Sequence, residues 1–172
     1  GKRKKKSRHP GTRVPGLEGV MGVKLARTAG FCMGVRRAVD MVLDIARKGG
    51  KGPIYTYGPL IHNPQTIALL KKRGVLPVEN LDDIDSGTIV IRAHGIPPAE
   101  RSRLKEKGLE IIDATCPKVA RVQGIIRKHH GQGHTILILG DRDHPEVTAL
   151  LGYAGDRGFI VNGMEDLVNL PD

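Results

Sequence analysis

Six residues of this 172-residue chain carry chemically competent side chains at equivalent points of the sequence pattern: Cys32, His62, His94, Cys116, His144 and Glu146. Cys32 follows "VKLA", His62 follows "PIYTYG", His94 follows "TIVIRA", Cys116 follows "LEIID", and His144 with Glu146 follows "TILILG". A thiol at the start of a helix has its thiolate favoured by the helix dipole. Thiolates hold zinc or iron–sulfur clusters. Three imidazoles near helix N-termini suit an anion such as a phosphate, through charge and donated hydrogen bonds. A carboxylic acid beside one of them can deliver protons. The combination points to redox or Lewis-acid chemistry on a phosphorylated small molecule.

Each residue taken alone has a plainer role. A lone cysteine is commonly a small buried hydrophobe. His62 could cap the helix after it, and His94 could be a turn residue beside Gly95. His144-Pro145-Glu146 could be an ordinary helix start, with proline at the first position and an acid at the positive end. Their common phase argues for more, because all lie just past the C-terminal end of a strand candidate. In open parallel sheets that edge is where ligands bind. His129, His130 and His134 fall in a polar, glycine-containing connection between helix and strand and read as solvated surface.

The elements that must position these residues alternate along the chain. Strands are expected over "VKLA", "PIYTYG", "TIVIRAHG", "LEIIDATC", "HTILILG" and "GFIVN". Between them fall helical patterns. The first covers residues 35–48, with Val35, Ala38, Val39, Val42, Ile45 and Ala46 on one face and Gly49-Gly50 at its end. Others are "NPQTIALLKKRG", a helix after Pro97-Pro98 running to about Gly108, one from Pro117, one from Pro145, and a short one at "MEDLVNL". Strand–helix alternation implies α/β architecture with parallel sheets. Two units are expected, residues 21–115 and 116–172, the second incomplete.

Charge is unevenly spread. Residues 1–20 hold seven Lys/Arg against one Glu, so six of the ten net positive charges sit in this segment. Rich in Gly and Pro and without periodicity, it reads as a disordered basic extension. Aromatic content of 3% with no Trp argues against recognition of single-stranded nucleic acid by stacking. No apolar run reaches the roughly 20 residues of a membrane span, and no secretory segment opens the chain. Two cysteines make no disulfide framework, which fits a reducing, cytoplasmic setting.

The motifs "AGFCMGV", "GPLIHN", "RAHGIPP", "DATCPKV" and "DHPEV", in this order and spacing, resemble 4-hydroxy-3-methylbut-2-enyl diphosphate reductases, the LytB-type enzymes of the non-mevalonate isoprenoid pathway. The resemblance runs from Met21 to Asp172. It implies a pseudo-threefold arrangement of α/β units, of which the third is missing here. Cys32 and Cys116 match two of the three cysteines that hold a 4Fe–4S cluster. His62, His94 and His144 match the histidines around the substrate diphosphate, and Glu146 matches the acid that relays protons. The implied reaction removes the allylic hydroxyl as water with two electrons, giving isopentenyl and dimethylallyl diphosphates. Ferredoxin, flavodoxin or a similar carrier is the implied electron donor. With a third cysteine lacking, the chain is expected to be an N-terminal portion, inactive alone. Two other functions fit parts of the sequence: a non-catalytic phosphate-ligand module, and a nucleic-acid-associated protein acting through the basic segment.

Overall fold

Glycine and proline punctuate the chain into short elements. The computed structural model describes residues 26, 28–49 and 52–170. The basic segment 1–20 lies outside them, as does the expected strand at "VKLA" except for Ala26. The elements and the candidate site all belong to the compact unit Cys32–Asp172.

The first helix, α1 (Met33–Lys48), buries Ala38, Val39 and Val42 and half-buries Val35, Ile45 and Ala46, the face that its periodicity predicts. Strand β1 (Ile54–Tyr57) comes next, then α2 (Pro64–Lys72), β2 (Val75–Val78), β3 (Thr88–Ile91), α3 (Pro98–Glu106) and β4 (Glu110–Asp113). The four strands form one parallel sheet in the order β2-β1-β3-β4. Alternate residues supply two cores. Ile54, Val90 and Ile112 face α1 and α2, with Val42 and Leu70. Tyr55, Ile89, Ile91 and Ile111 face α3, with Leu104 and Ile96. Strand β3 is buried at all four positions, as a central parallel strand must be.

Strand β2 is the element that the sequence pattern does not announce. It is short, contains Pro77, and lies at the edge of the sheet, where a missing N–H is tolerated.

Helix α4 (Pro117–Gly131), β5 (Ile136–Leu139), α5 (Pro145–Ala154) and β6 (Gly158–Val161) complete the α/β pattern, followed by a 3-10 turn at Met164–Asn169. Strands β5 and β6 form a separate parallel pair. Ile126, Ile138, Val147, Leu150 and Ile160 make its core. Only one face of β5 is covered among the described residues: Ile138 is buried, whereas Leu139 is 79% exposed. The α/β class with parallel sheets is thus observed. Sheet membership changes between Asp113 and Ile136, with Cys116 at the start of the intervening helix.

Candidate functional site

The order β2-β1-β3-β4 has a consequence at the C-terminal edge. The connection after β1 runs to β2 on one side, and the connection after β3 runs to β4 on the other. Their separation opens a crevice between β1 and β3, the place where open α/β sheets receive ligands. His62 follows β1 and His94 follows β3, and their ring centroids lie 4.8 Å apart. His144, at the start of α5, brings its ring to 5.7 Å from His62 and 5.4 Å from His94. One ring nitrogen from each comes within 4.8 Å of the other two. Three residues separated by 82 positions therefore make one cluster.

Local interactions decide which of their simpler roles survive. Helix α2 is capped by Asn63, whose Oδ1 accepts the Thr66 N–H at 2.8 Å, so His62 does not cap it. His94 does sit in a turn: the Gly95 N–H donates to Arg92 O at 3.0 Å, with Gly95 at φ 74°. His144 does cap α5, its Nδ1 accepting the Glu146 N–H at 3.2 Å, with Pro145 next. That bond occupies the Nδ1 lone pair. A neutral His144 therefore carries its proton on Nε2, a donor suited to an anion rather than a lone pair offered to a metal ion.

His94 is half-buried and its Nδ1 is enclosed without a hydrogen-bond partner. Burial first, then the charges of His62, Arg92 and His144, push its pKa down to about 4 from 6.5. At neutral pH it is an uncharged imidazole. Arg92 is the site residue that the sequence reading missed. It lines a cavity of about 110 Å³ with Tyr57, Gly58, Glu79 and Glu100, and its charge acts on His94. Gly58 permits this approach, since a β-carbon there would lie 2.7 Å from an Arg92 guanidinium nitrogen. Burial pushes the Tyr57 hydroxyl up to about 12, aided by the charge and hydrogen bond of Glu100. The signal for Arg92 was its place at the end of β3, two residues before His94.

The cysteines occupy matching positions. Cys32 is the N-cap of α1 and Cys116 the N-cap of α4, and neither side chain makes a capping bond. Both are free thiols, Cys32 exposed and Cys116 half-buried. Gly34, in the first turn of α1 two residues after Cys32, leaves room for Cys116. A β-carbon at Gly34 would lie 2.5 Å from Cys116 Sγ. The Cys116 N–H donates to Ala93 O at 2.9 Å, which ties this thiol to the residue before His94. A pair of unbridged thiols at helix starts, with no internal bond to break, is a donor set that fits two ligands of an iron–sulfur cluster. Glu146 stands in the first turn of α5, half-buried beside His144.

The histidines read as surface differ in part. His129 and His130 belong to the last turn of α4, not to the connection after it, and both are half-buried. His130 packs against Gly155, and its Nδ1 is enclosed without a partner. His134 is exposed, as its polar surroundings in the sequence suggest. No helix among the described residues is long and apolar enough to cross a membrane.

Comparison with known proteins adds a separate line. A family described as "LytB protein" matches residues 23–172. A 4-hydroxy-3-methylbut-2-enyl diphosphate reductase of Pelobacter propionicus is 43% identical over 151 residues, covering 88% of this chain and 53% of the relative. The protein of that name from Nitratidesulfovibrio vulgaris is 46% identical over 152 residues, with 88% and 54% covered. The chain spans about half the length of these curated relatives. Among solved structures, an (E)-4-hydroxy-3-methyl-but-2-enyl diphosphate reductase aligns with TM-score 0.73 at 40% identity, covering 81% of this chain and 50% of that one. The E-1-hydroxy-2-methyl-but-2-enyl-4-diphosphate reductase from Plasmodium falciparum aligns with TM-score 0.79 at 32% identity, covering 83% and 45%.

Proposed function

Since this chain belongs to the LytB protein family, we propose that it carries part of the active site of a 4-hydroxy-3-methylbut-2-enyl diphosphate reductase. The single observation that carries the reading is the convergence of His62, His94 and His144 at the β1/β3 crevice, next to the peptide that binds the Cys116 amide. Residues 21–115 and 116–172 are read as successive α/β units contributing to one pocket, within the pseudo-threefold plan of the resemblance.

In this reading the three imidazoles hold the diphosphate of the substrate. His144 donates from Nε2, because its Nδ1 is engaged by the helix cap. His94 enters uncharged and donates from whichever nitrogen faces the ligand, while the half-buried Arg92 guanidinium adds positive potential behind it. A bound diphosphate anion opposes the forces that keep His94 neutral, so binding favours its protonated form.

Cys32 and Cys116 would hold two corners of a 4Fe–4S cluster. The resemblance calls for a third cysteine ligand, and these 172 residues contain two cysteines. Held there, such a cluster would supply electrons and Lewis acidity for the removal of the allylic hydroxyl. Glu146 holds the proton for the departing hydroxyl, with α5 setting its position beside His144. The overall balance is two electrons and two protons in, one C–O bond broken, one C–H bond formed and one water out. An electron carrier such as ferredoxin or flavodoxin is the partner this chemistry requires, and the cytoplasm is the compartment that suits it.

The test is anaerobic oxidation of a reduced viologen by the complete protein, followed with and without 4-hydroxy-3-methylbut-2-enyl diphosphate. Substrate-dependent oxidation is expected. A cluster-loaded complete protein that shows none would end this reading.

A further inference from the structure

The peptide leading into Cys116 is held from three directions. Along the sheet, the Ala114 N–H donates to Ile91 O at 3.1 Å and the Cys116 N–H to Ala93 O at 2.9 Å. From within, the Thr115 N–H donates to Asp113 Oδ1 at 2.9 Å. Asp113 also pairs with Arg101 of α3. Burial alone would raise the Asp113 carboxyl, but the Thr115 bonds and Arg101 reverse this and hold it below the ordinary carboxylate range. From α1 comes Arg37, whose guanidinium donates to Thr115 O at 3.2 Å and to Asp113 O at 3.5 Å.

Arg37 lies on the helix that Cys32 caps, five residues further on, with Gly34 between them. The carbonyls it binds belong to residues just before Cys116. The sheet bonds fix the Cys116 peptide relative to β3. Among the described residues, Arg37 supplies the polar link between that peptide and α1, which also leaves room for the thiol at Gly34. A guanidinium is suited to this, because its rigid planar fork holds two carbonyls in a fixed geometry, whereas an ammonium's rotatable donors do not fix it.

We propose that Arg37 is a positioning residue for the two thiols: it clamps the Asp113–Cys116 peptide to α1 and so sets the separation of Cys32 and Cys116. The purpose of the clamp rests on the cluster reading above, since a cluster demands fixed spacing between its ligands. The clamp itself rests on the hydrogen bonds and can be tested without iron.

The experiment measures how fast a bifunctional bimane bridges Cys32 and Cys116 in the reduced 172-residue chain. This reagent fluoresces only when both arms have reacted with thiols. Monofunctional alkylation of each cysteine, followed by mass spectrometry, corrects for exposure. Arg37→Met keeps an unbranched apolar stem and loses the fork, Arg37→Lys keeps the charge, and Arg36→Met is an equal charge change on the neighbouring residue. The corrected bridging rate should fall about tenfold or more in Arg37→Met, which loses both hydrogen bonds of a charged donor. It should recover in part in Arg37→Lys and match wild type in Arg36→Met. If Arg37→Met fails to fold, Arg37→Lys against Arg36→Met decides. A corrected rate unchanged in Arg37→Met, or in a folded Arg37→Lys when that variant decides, overturns the clamp. A complete wild-type protein that takes up no iron on reconstitution would instead end the cluster reading, and with it the purpose assigned to the clamp.

Discussion

Gly34 and Cys116 share one space: the position a β-carbon would take on Gly34 is 2.5 Å from Cys116 Sγ. Here glycine is required by the thiol and not by the backbone, since Gly34 lies inside α1 and is absent from the positive-φ glycines. In an ordinary helix interior, alanine would be favoured over glycine by about 1 kcal/mol. At this position it must displace the Cys116 side chain, and overpacking typically costs about 1–3 kcal/mol. Gly34→Ala is therefore expected to lose stability in urea titration and to alter the alkylation rate of Cys116. A variant more stable than wild type, with Cys116 reacting as before, would refute the crowding.

The histidine cluster makes a binding statement. If the three rings hold a diphosphate, replacing any one by alanine removes a hydrogen bond to a charged ligand, worth about 1.5–3 kcal/mol, or roughly tenfold to a hundredfold in affinity. Calorimetric titration of the complete protein with pyrophosphate should show this for His62, His94 and His144. His129→Ala should leave the affinity unchanged. Equal losses at His129 and at the cluster would mean that the cluster is not the site.

His94 also makes a statement about stability and pH. Its pKa in the folded chain is about 4, against 6.5 ordinarily. Well above pH 6.5 the ring is neutral in both folded and unfolded chains and contributes no pH dependence. As pH falls from 6.5 towards 4, the unfolded chain takes up a proton that the folded chain refuses, so stability declines. His94→Asn removes this term. Its melting temperature should fall less steeply than wild type between pH 7 and pH 4. Parallel profiles for the two proteins would show that another group dominates acid unfolding.

Glu146 separates cap from catalyst cleanly. The helix cap uses its backbone N–H, donated to His144 Nδ1, and not its carboxyl. Glu146→Gln therefore keeps the cap and removes only the acid. Turnover of the complete enzyme should fall by roughly a hundredfold or more, the usual contribution of a positioned proton donor. Thermal stability should stay close to wild type. Full turnover in the variant would take Glu146 out of the proton path.

The 172-residue polypeptide itself offers two thiolates where the cluster reading calls for three protein ligands. Purified alone and reconstituted without oxygen, it should retain far less than four irons per chain and show no viologen oxidation with substrate. Stoichiometric iron and turnover would mean that a residue other than cysteine completes the site.

Much of this was legible in the order of residues. The apolar face of α1 follows from the 3.6-residue spacing of Ala38, Val39 and Val42, and the helix starts at Pro117 and Pro145 from proline's fixed φ. Strand–helix alternation entails parallel sheets, and parallel sheets put the residues after each strand on one edge. Such statements concern neighbours in sequence, where periodicity and backbone geometry act directly. Strand β2 escaped because an edge strand bearing Pro77 has neither a continuous apolar run nor clean alternation.

Only the tertiary structure decided which of these edge residues meet. The order β2-β1-β3-β4 opens the crevice beneath His62 and His94, and strand order is set by packing over long sequence distances, which no local pattern encodes. The same holds for the Arg92 guanidinium behind His94, for the Arg37 bonds to carbonyls 76 and 78 residues away, and for the thiol lying over Gly34. Residue types and their phase along the chain determined what chemistry was on offer. The pairing of strands determined where it converges, because hydrogen-bonded sheet geometry brings together residues that the chain keeps far apart.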